Sequence, residues 1–147
     1  MVATLGVVSA ELLQANERLG RAFFAEQDRL RGGPAPALCS ADYSAQLGSN
    51  PALDRAAHEG FAQALYAAFP DLAHHVEDVV VTADVVVVRF VLRGTHRGSF
   101  FGMPATGRGI AIPAHVILHL AASKVQRLLG VFDEAGLLRQ LGALPGA

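Results

Sequence analysis

One cysteine, Cys39, in 147 residues leaves no partner for an intramolecular disulfide and excludes a cysteine-rich zinc site. Charge is also scarce. Only 17% of residues are charged and the net charge is −1, which provides no basic surface for nucleic acid or an anionic membrane. No apolar run approaches the roughly 20 residues of a membrane span. The start, MVATLGVVSAE, lacks the basic segment and long apolar stretch of a signal peptide. These shortages predict a soluble, cytoplasmic protein with no nucleic-acid or membrane partner. Hydrophobic residues, by contrast, make up 52% of the chain, an excess that an internal cavity or an oligomer interface would absorb. The length suits a single domain over residues 1–147, with its core at about 9–142.

The hydrophobic period changes once along the chain. Ser9 is a natural N-cap for a helix running to about Arg31, with Leu12, Leu19, Phe23 and Leu30 on one stripe and Gly32-Gly33 to end it. Pro34 to Pro51 reads as loop, with a short element around Ala41 to Leu47. A second helix fits Leu53 to Phe69, where Phe61, Leu65 and Phe69 recur at helical spacing before Pro70-Asp71. From there the period is two. Strands are predicted over His75 to Val81, Val85 to His96, Arg108 to Leu120 and Val125 to Phe132, with turn residues between them. Helices first and long antiparallel strands afterwards predict an α+β fold, the helices lying on one face of a curved sheet.

Alternation assigns the faces. In the second strand Val86, Val88, Phe90, Leu92, Gly94 and His96 share the side toward the helices. His96 thus closes an apolar row. It is either a core histidine satisfied by a backbone carbonyl or a general acid or base. His58 leans toward the apolar stripe of the second helix, at a boundary or in a pocket. His115 and His119 face outward and lie about 13 Å apart on one strand, too far to ligate a metal together, and no metal site is expected. His74-His75 read as a solvated strand start. The glycines of GTHRGSFFGMPATGRG do not form a phosphate loop, because no Gly-Lys-Ser/Thr follows and no helix opens there. No serine sits in a Gly-x-Ser-x-Gly elbow either.

The segments SADY, AFPDL, RGTHRGSFFGMPATGR and KVQRLLGVFDEAGLLRQLG appear in an order and spacing that resemble the SnoaL-like polyketide cyclases, over roughly Leu12 to Gly142. That family lies within the nuclear-transport-factor-2-like superfamily. The resemblance implies a cone-shaped α+β barrel, a curved sheet wrapped round a helix-closed apolar pocket, with oligomers formed through the outer sheet face. It further implies ring closure in natural-product pathways, often by aldol chemistry, with an active-site acid and without metal or cofactor. Matching the motif ends places the family's proton-shuttling carboxylate on Gly130 and an assisting histidine on Val116. Asp133 matches a later aspartate, which caps a turn before Gly136-Leu137.

The resulting expectation is a cofactor-independent enzyme that acts by acid–base catalysis on an apolar, polyketide-like intermediate, through ring closure, epoxide opening or isomerisation. Its catalytic candidates are His96, Tyr43, His58 and Asp133, with an imidazole opposite a phenol able to move protons at two oxygens. Its substrate-binding candidates are Phe90 and Leu92 on one strand, Val116 and Leu118 on the next, and Leu128, Gly130 and Phe132 on the last. A glycine at 130 could also make room for a bulkier substrate or present its carbonyl to one. The alternative is a non-catalytic binding or accessory protein. The outer face, with Arg89, His115, Ile117, His119, Arg127 and Leu129, predicts a homodimer or higher homo-oligomer.

Overall fold

The structure, a computed structural model, describes residues 7–145. The outermost residues of the expected domain, 1–6 and 146–147, including most of the MVATLGVVSAE start, lie outside the described residues. Ser9 caps helix α1, Ala10–Leu30, by accepting from the Leu12 amide at 3.1 Å. A cap of this kind contributes about 1 kcal/mol. Arg31 itself turns left-handed and ends the helix, one residue before the predicted glycines. The buried stripe is Asn16, Gly20, Phe23, Phe24 and Gln27, whereas Leu12 and Leu30 are exposed. The packing partner decides this. α1 crosses the sheet so closely at Gly20 that a Cβ there would meet Val86 Cγ1 at 2.7 Å, and Asn16 is fixed by the carbonyls of Thr82 and Ala83.

After α1, the short element expected around Ala41 to Leu47 is a nine-residue strand. β1, Cys39–Leu47, alternates inward Tyr43 and Ala45 with outward Asp42, and is followed by a two-residue strand β2, Leu53–Asp54. Asp54 caps α2, Arg55–Ala68. Four long strands follow: β3 (Ala73–Val81), β4 (Val85–Thr95), β5 (Gly109–Ala121) and β6 (Lys124–Phe132). A short helix α3, Glu134–Gln140, closes the chain where the sequence suggested only a capped turn.

The six strands form one sheet in the order β2-β1-β6-β5-β4-β3. All neighbours are antiparallel except β1 and β6, which run parallel. The predicted antiparallel sheet is therefore mixed at one position, because the short element expected around Ala41 to Leu47 is a full strand, β1, that joins beside β6. The burial of β5 alternates strictly from Ile110 to Leu118, as expected for a sheet covered on one face. α1 and α2 lie on that face. Phe23 of α1 and Val86, Val88, Leu118 and Val125 of the sheet share one core with essentially no exposure, each contributing roughly 1.5–3 kcal/mol of apolar burial.

Candidate active site

Between α1, α2, α3 and the concave sheet lies a cavity of about 90 Å³. That is room for a few waters or one small ring, so a multi-ring ligand has to displace half-buried walls such as Phe61, Phe100 and Phe132. The sheet supplies Phe90, Leu92, Val116, Leu128, Gly130 and Phe132, so six of the seven predicted binding residues meet here. Leu118 does not. It lies two residues beyond Val116, toward the end of β5 that α1 covers, and is fully buried in the α1 core.

Val116 and Gly130 are register partners on β5 and β6, directly opposite each other in the cavity wall. The two positions to which the resemblance assigns a carboxylate and a histidine thus face each other, and in this chain both are apolar. A Cβ at 130 would sit 3.2 Å from Val116 Cγ2 and 3.4 Å from Leu128 Cδ2, so the surrounding side chains have closed toward the glycine. The Gly130 carbonyl already accepts from the Gly48 amide at 2.7 Å.

The predicted catalytic residues divide. His58 lines the cavity from α2, and its Nδ1 lies 2.9 Å from the Tyr43 hydroxyl in a pair that is buried on both sides. Tyr43 is behind His58 and touches no cavity space. Burial, helped by the charge of nearby His74, lowers the His58 pKa to about 4, so its imidazole is neutral at physiological pH. Burial likewise pushes the Tyr43 hydroxyl well above its usual range.

His96 is not in the cavity wall. It has no exposed surface, and its ring stacks on Phe69 at 5.2 Å, with Phe69 between it and the cavity. Its Nδ1 accepts the Thr106 amide at 3.2 Å, so the proton of the neutral ring sits on Nε2, which has no partner among the described residues. The apolar row does continue to residue 96, but β4 ends at Thr95 and the chain turns behind Phe69. Asp133 is also displaced from chemistry: its carboxylate caps α3 by accepting from the Gly136 amide at 2.9 Å.

One group was missed. His74, read as a solvated strand start, is a half-buried cavity residue between the rings of Phe24 and Phe90. Its Nδ1 lies 2.7 Å from Asp28 Oδ1, and its backbone amide donates to Asp28 Oδ2 at 2.9 Å. The Tyr66 hydroxyl donates to the same carboxylate at 2.7 Å. Burial alone would raise the Asp28 pKa, but these three donors and the charge of His74 outweigh it and hold the carboxyl below its usual range. Burial first, then Asp28, drives the Tyr66 hydroxyl upward. Asp28 is one residue from Gln27, itself 4% exposed and in the cavity wall. The only sequence signal was helical spacing, since Phe24, Gln27 and Asp28 follow at i, i+3 and i+4.

Among the described residues no cluster of three or more His, Cys, Asp or Glu is placed to hold a metal ion. No described helix is long and apolar enough to cross a membrane.

The sequence profile of the SnoaL-like polyketide cyclases matches residues 21–141. Among solved structures, AclR of Streptomyces galilaeus, named as a hydroxylase, is 24% identical with a TM-score of 0.83, covering 92% of this chain and 89% of its own. A protein of Jannaschia sp. CCS1 named as a SnoaL-like polyketide cyclase is also 24% identical at a TM-score of 0.83, covering 95% and 100%. IdmH of Streptomyces antibioticus, named as a polyketide cyclase, is 27% identical at a TM-score of 0.70, covering 90% and 99%. No curated protein matches the sequence.

Proposed function

The chain belongs to the SnoaL-like polyketide cyclase family, and from that premise we propose that it closes or isomerises rings in an apolar, polyketide-like intermediate by proton transfer inside the cavity. The observation that carries this reading is the pair of imidazoles, His58 and His74, set in a wall that is otherwise almost wholly apolar. An apolar wall excludes water and folds a flexible substrate, and an oriented group there acts on a reactant already near its attack geometry. Intramolecular aldol closure is redox-neutral, so its balance requires no cofactor.

A second reading has its own support. Residues 116 and 130, where the family resemblance puts polar groups, are Val and Gly, which favours a protein that holds the intermediate without transforming it. An acyclic diketone whose carbonyls are spaced for six-ring closure separates the two. Catalysis predicts that the purified chain accelerates enone formation over buffer, and that mixing is followed by steady turnover. Saturable binding with no acceleration favours the accessory reading.

The outer face supports a homodimer. Val80, Val87, Ile117 and Leu129 align across four adjacent strands, and Val80 and Val131 are 61% and 58% exposed. Such a row is too apolar to face water alone, and a second copy of the chain is the proposed partner.

A further inference from the structure

The cavity holds two imidazoles whose hydrogen bonds fix opposite tautomers. Asp28 is ionised and so can only accept, which requires the proton of His74 to sit on Nδ1, 2.7 Å away. In its base form, with Nδ1–H held by Asp28, the His74 ring carries its lone pair on Nε2; in its charged form both nitrogens are protonated. His58 is the reverse. The Tyr43 hydroxyl is buried, and among the described residues its one hydrogen-bond partner is His58 Nδ1. Were Nδ1 protonated, the phenol proton would lack an acceptor, at a cost of about 1–3 kcal/mol. Tyr43 thus donates to Nδ1, and His58 carries its own proton on Nε2.

From this geometry we infer that His74 Nε2 is the general base of the reaction and that the neutral His58 Nε2–H is the donor that stabilises the oxygen on which charge develops. The assignment rests on the cyclase reading above and adds the division of labour within it. It also supplies a carboxylate. Among the described residues no Asp or Glu lines the cavity, and the one acid whose side chain bonds a lining residue is Asp28.

The step balances without a co-reactant. A C–H bond beside a carbonyl breaks, its proton passes to His74 Nε2, and the electron pair moves onto the carbonyl oxygen opposite His58. The enolate carbon then attacks a second carbonyl of the same molecule, a C–C bond forms, and the new alkoxide takes the proton back from His74. Asp28 holds the imidazolium in between through the Nδ1–H bond. A neutral imidazole serves better than an imidazolium as the donor, because it leaves the developing charge to be matched by hydrogen bonding and does not compete with His74 for the proton. The Gln27 amide lines the same cavity and makes no side-chain hydrogen bond among the described residues, so it is a further donor for a bound ligand. A Cβ at Gly33 would collide with Gln27 Cγ, so the glycine is required for this side chain to lie where it does. Asp28, Tyr66 and Tyr43 are positioning residues.

The test uses β-tetralone, a fused two-ring ketone, and its stable phenolic counterpart β-naphthol with the full chain. In deuterium oxide, the parent is expected to speed exchange of the ketone's α-hydrogens as read by proton NMR. His74→Gln is expected to lower that rate about 10²-fold or more, the scale of a positioned base, while β-naphthol still binds. His58→Gln is expected to weaken β-naphthol binding as well as exchange. Asp28→Asn should lower exchange and disturb the His74 tautomer, a signature that a purely structural carboxylate would not give. Exposed His75→Gln should change nothing. Nitrogen NMR of labelled histidines reads the tautomers without any ligand: Nδ1–H for His74 and Nε2–H for His58. Reversed tautomers, or undiminished exchange in folded His74→Gln, overturn the assignment and leave the cyclase reading standing. Failure of the parent to bind either β-naphthol or its one-ring counterpart, phenol, overturns both.

Discussion

Acidification should unfold this protein partly through one histidine. The His58 pKa falls from 6.5 to about 4 on folding, a difference of about 2.5, and at 1.36 kcal/mol for each unit this is worth about 3 kcal/mol. His58 is only 5% exposed, so solvent does not screen the effect away. In the unfolded chain the imidazole binds a proton as pH drops through 6.5, whereas in the folded protein it does so only near 4. The stability is therefore fully present above 6.5, falls as the solution is acidified, and is gone below about 4. His58→Gln is the reference, because glutamine does not titrate and still offers the Tyr43 hydroxyl an acceptor. Asp28, whose carboxyl is held low, also loses stability in acid, but it does so in both proteins and cancels in the difference. Urea unfolding of the two proteins from pH 7.5 to pH 4 is the assay. The gap in unfolding free energy should shift by about 3 kcal/mol in favour of the variant as pH falls. Parallel pH curves would refute a desolvated, neutral His58.

Gly130→Asp should lower the melting temperature, since its Cβ would meet Val116 Cγ2 at 3.2 Å and its carboxylate would be desolvated between apolar side chains. Desolvation raises that carboxyl's pKa, so the deficit should grow as pH rises above about 4; a deficit independent of pH in thermal melts would contradict this. His96→Ala should cost about 2–4 kcal/mol through the void left beside Phe69, with β-tetralone exchange per folded molecule unchanged. Lost exchange at an unchanged melting temperature would bring His96 back into the chemistry. Asp133→Ala should cost about 1 kcal/mol, the value of the α3 cap, without touching exchange. Ile117→Glu with Val131→Glu should halve the mass measured by light scattering, and an unchanged mass would argue against dimerisation through the outer face.

The features legible in the sequence were those with a strong period. The four long strands and both long helices carry runs of apolar residues at spacings of two or of three and four, and their bounds shifted by only one to two residues. β1 was legible only as a short element around Ala41 to Leu47, because Ser40, Asp42, Ser44 and Gln46 face outward and their polarity blurred the alternation with the inward Tyr43 and Ala45. α3 was hidden by its brevity. At the site, alternation placed the sheet residues correctly because one register governs them all, and His58 followed from its helix stripe. His74 was missed because its meaning depends on Asp28, 46 residues earlier, and no local pattern joins the two. His96 misled for the opposite reason: its row was right, but Phe69 intervenes, which strand alternation cannot reveal.

The most direct measurement is a crystal structure of the protein with β-naphthol bound. Ring closure inside the cavity predicts the rings against Leu128 and Gly130, with the phenolic oxygen within about 2.6–3.2 Å of His58 Nε2 and the adjacent ring carbon facing His74 Nε2. A ligand lodged outside the cavity, or seated within it with its oxygen turned away from both imidazoles, would contradict the account.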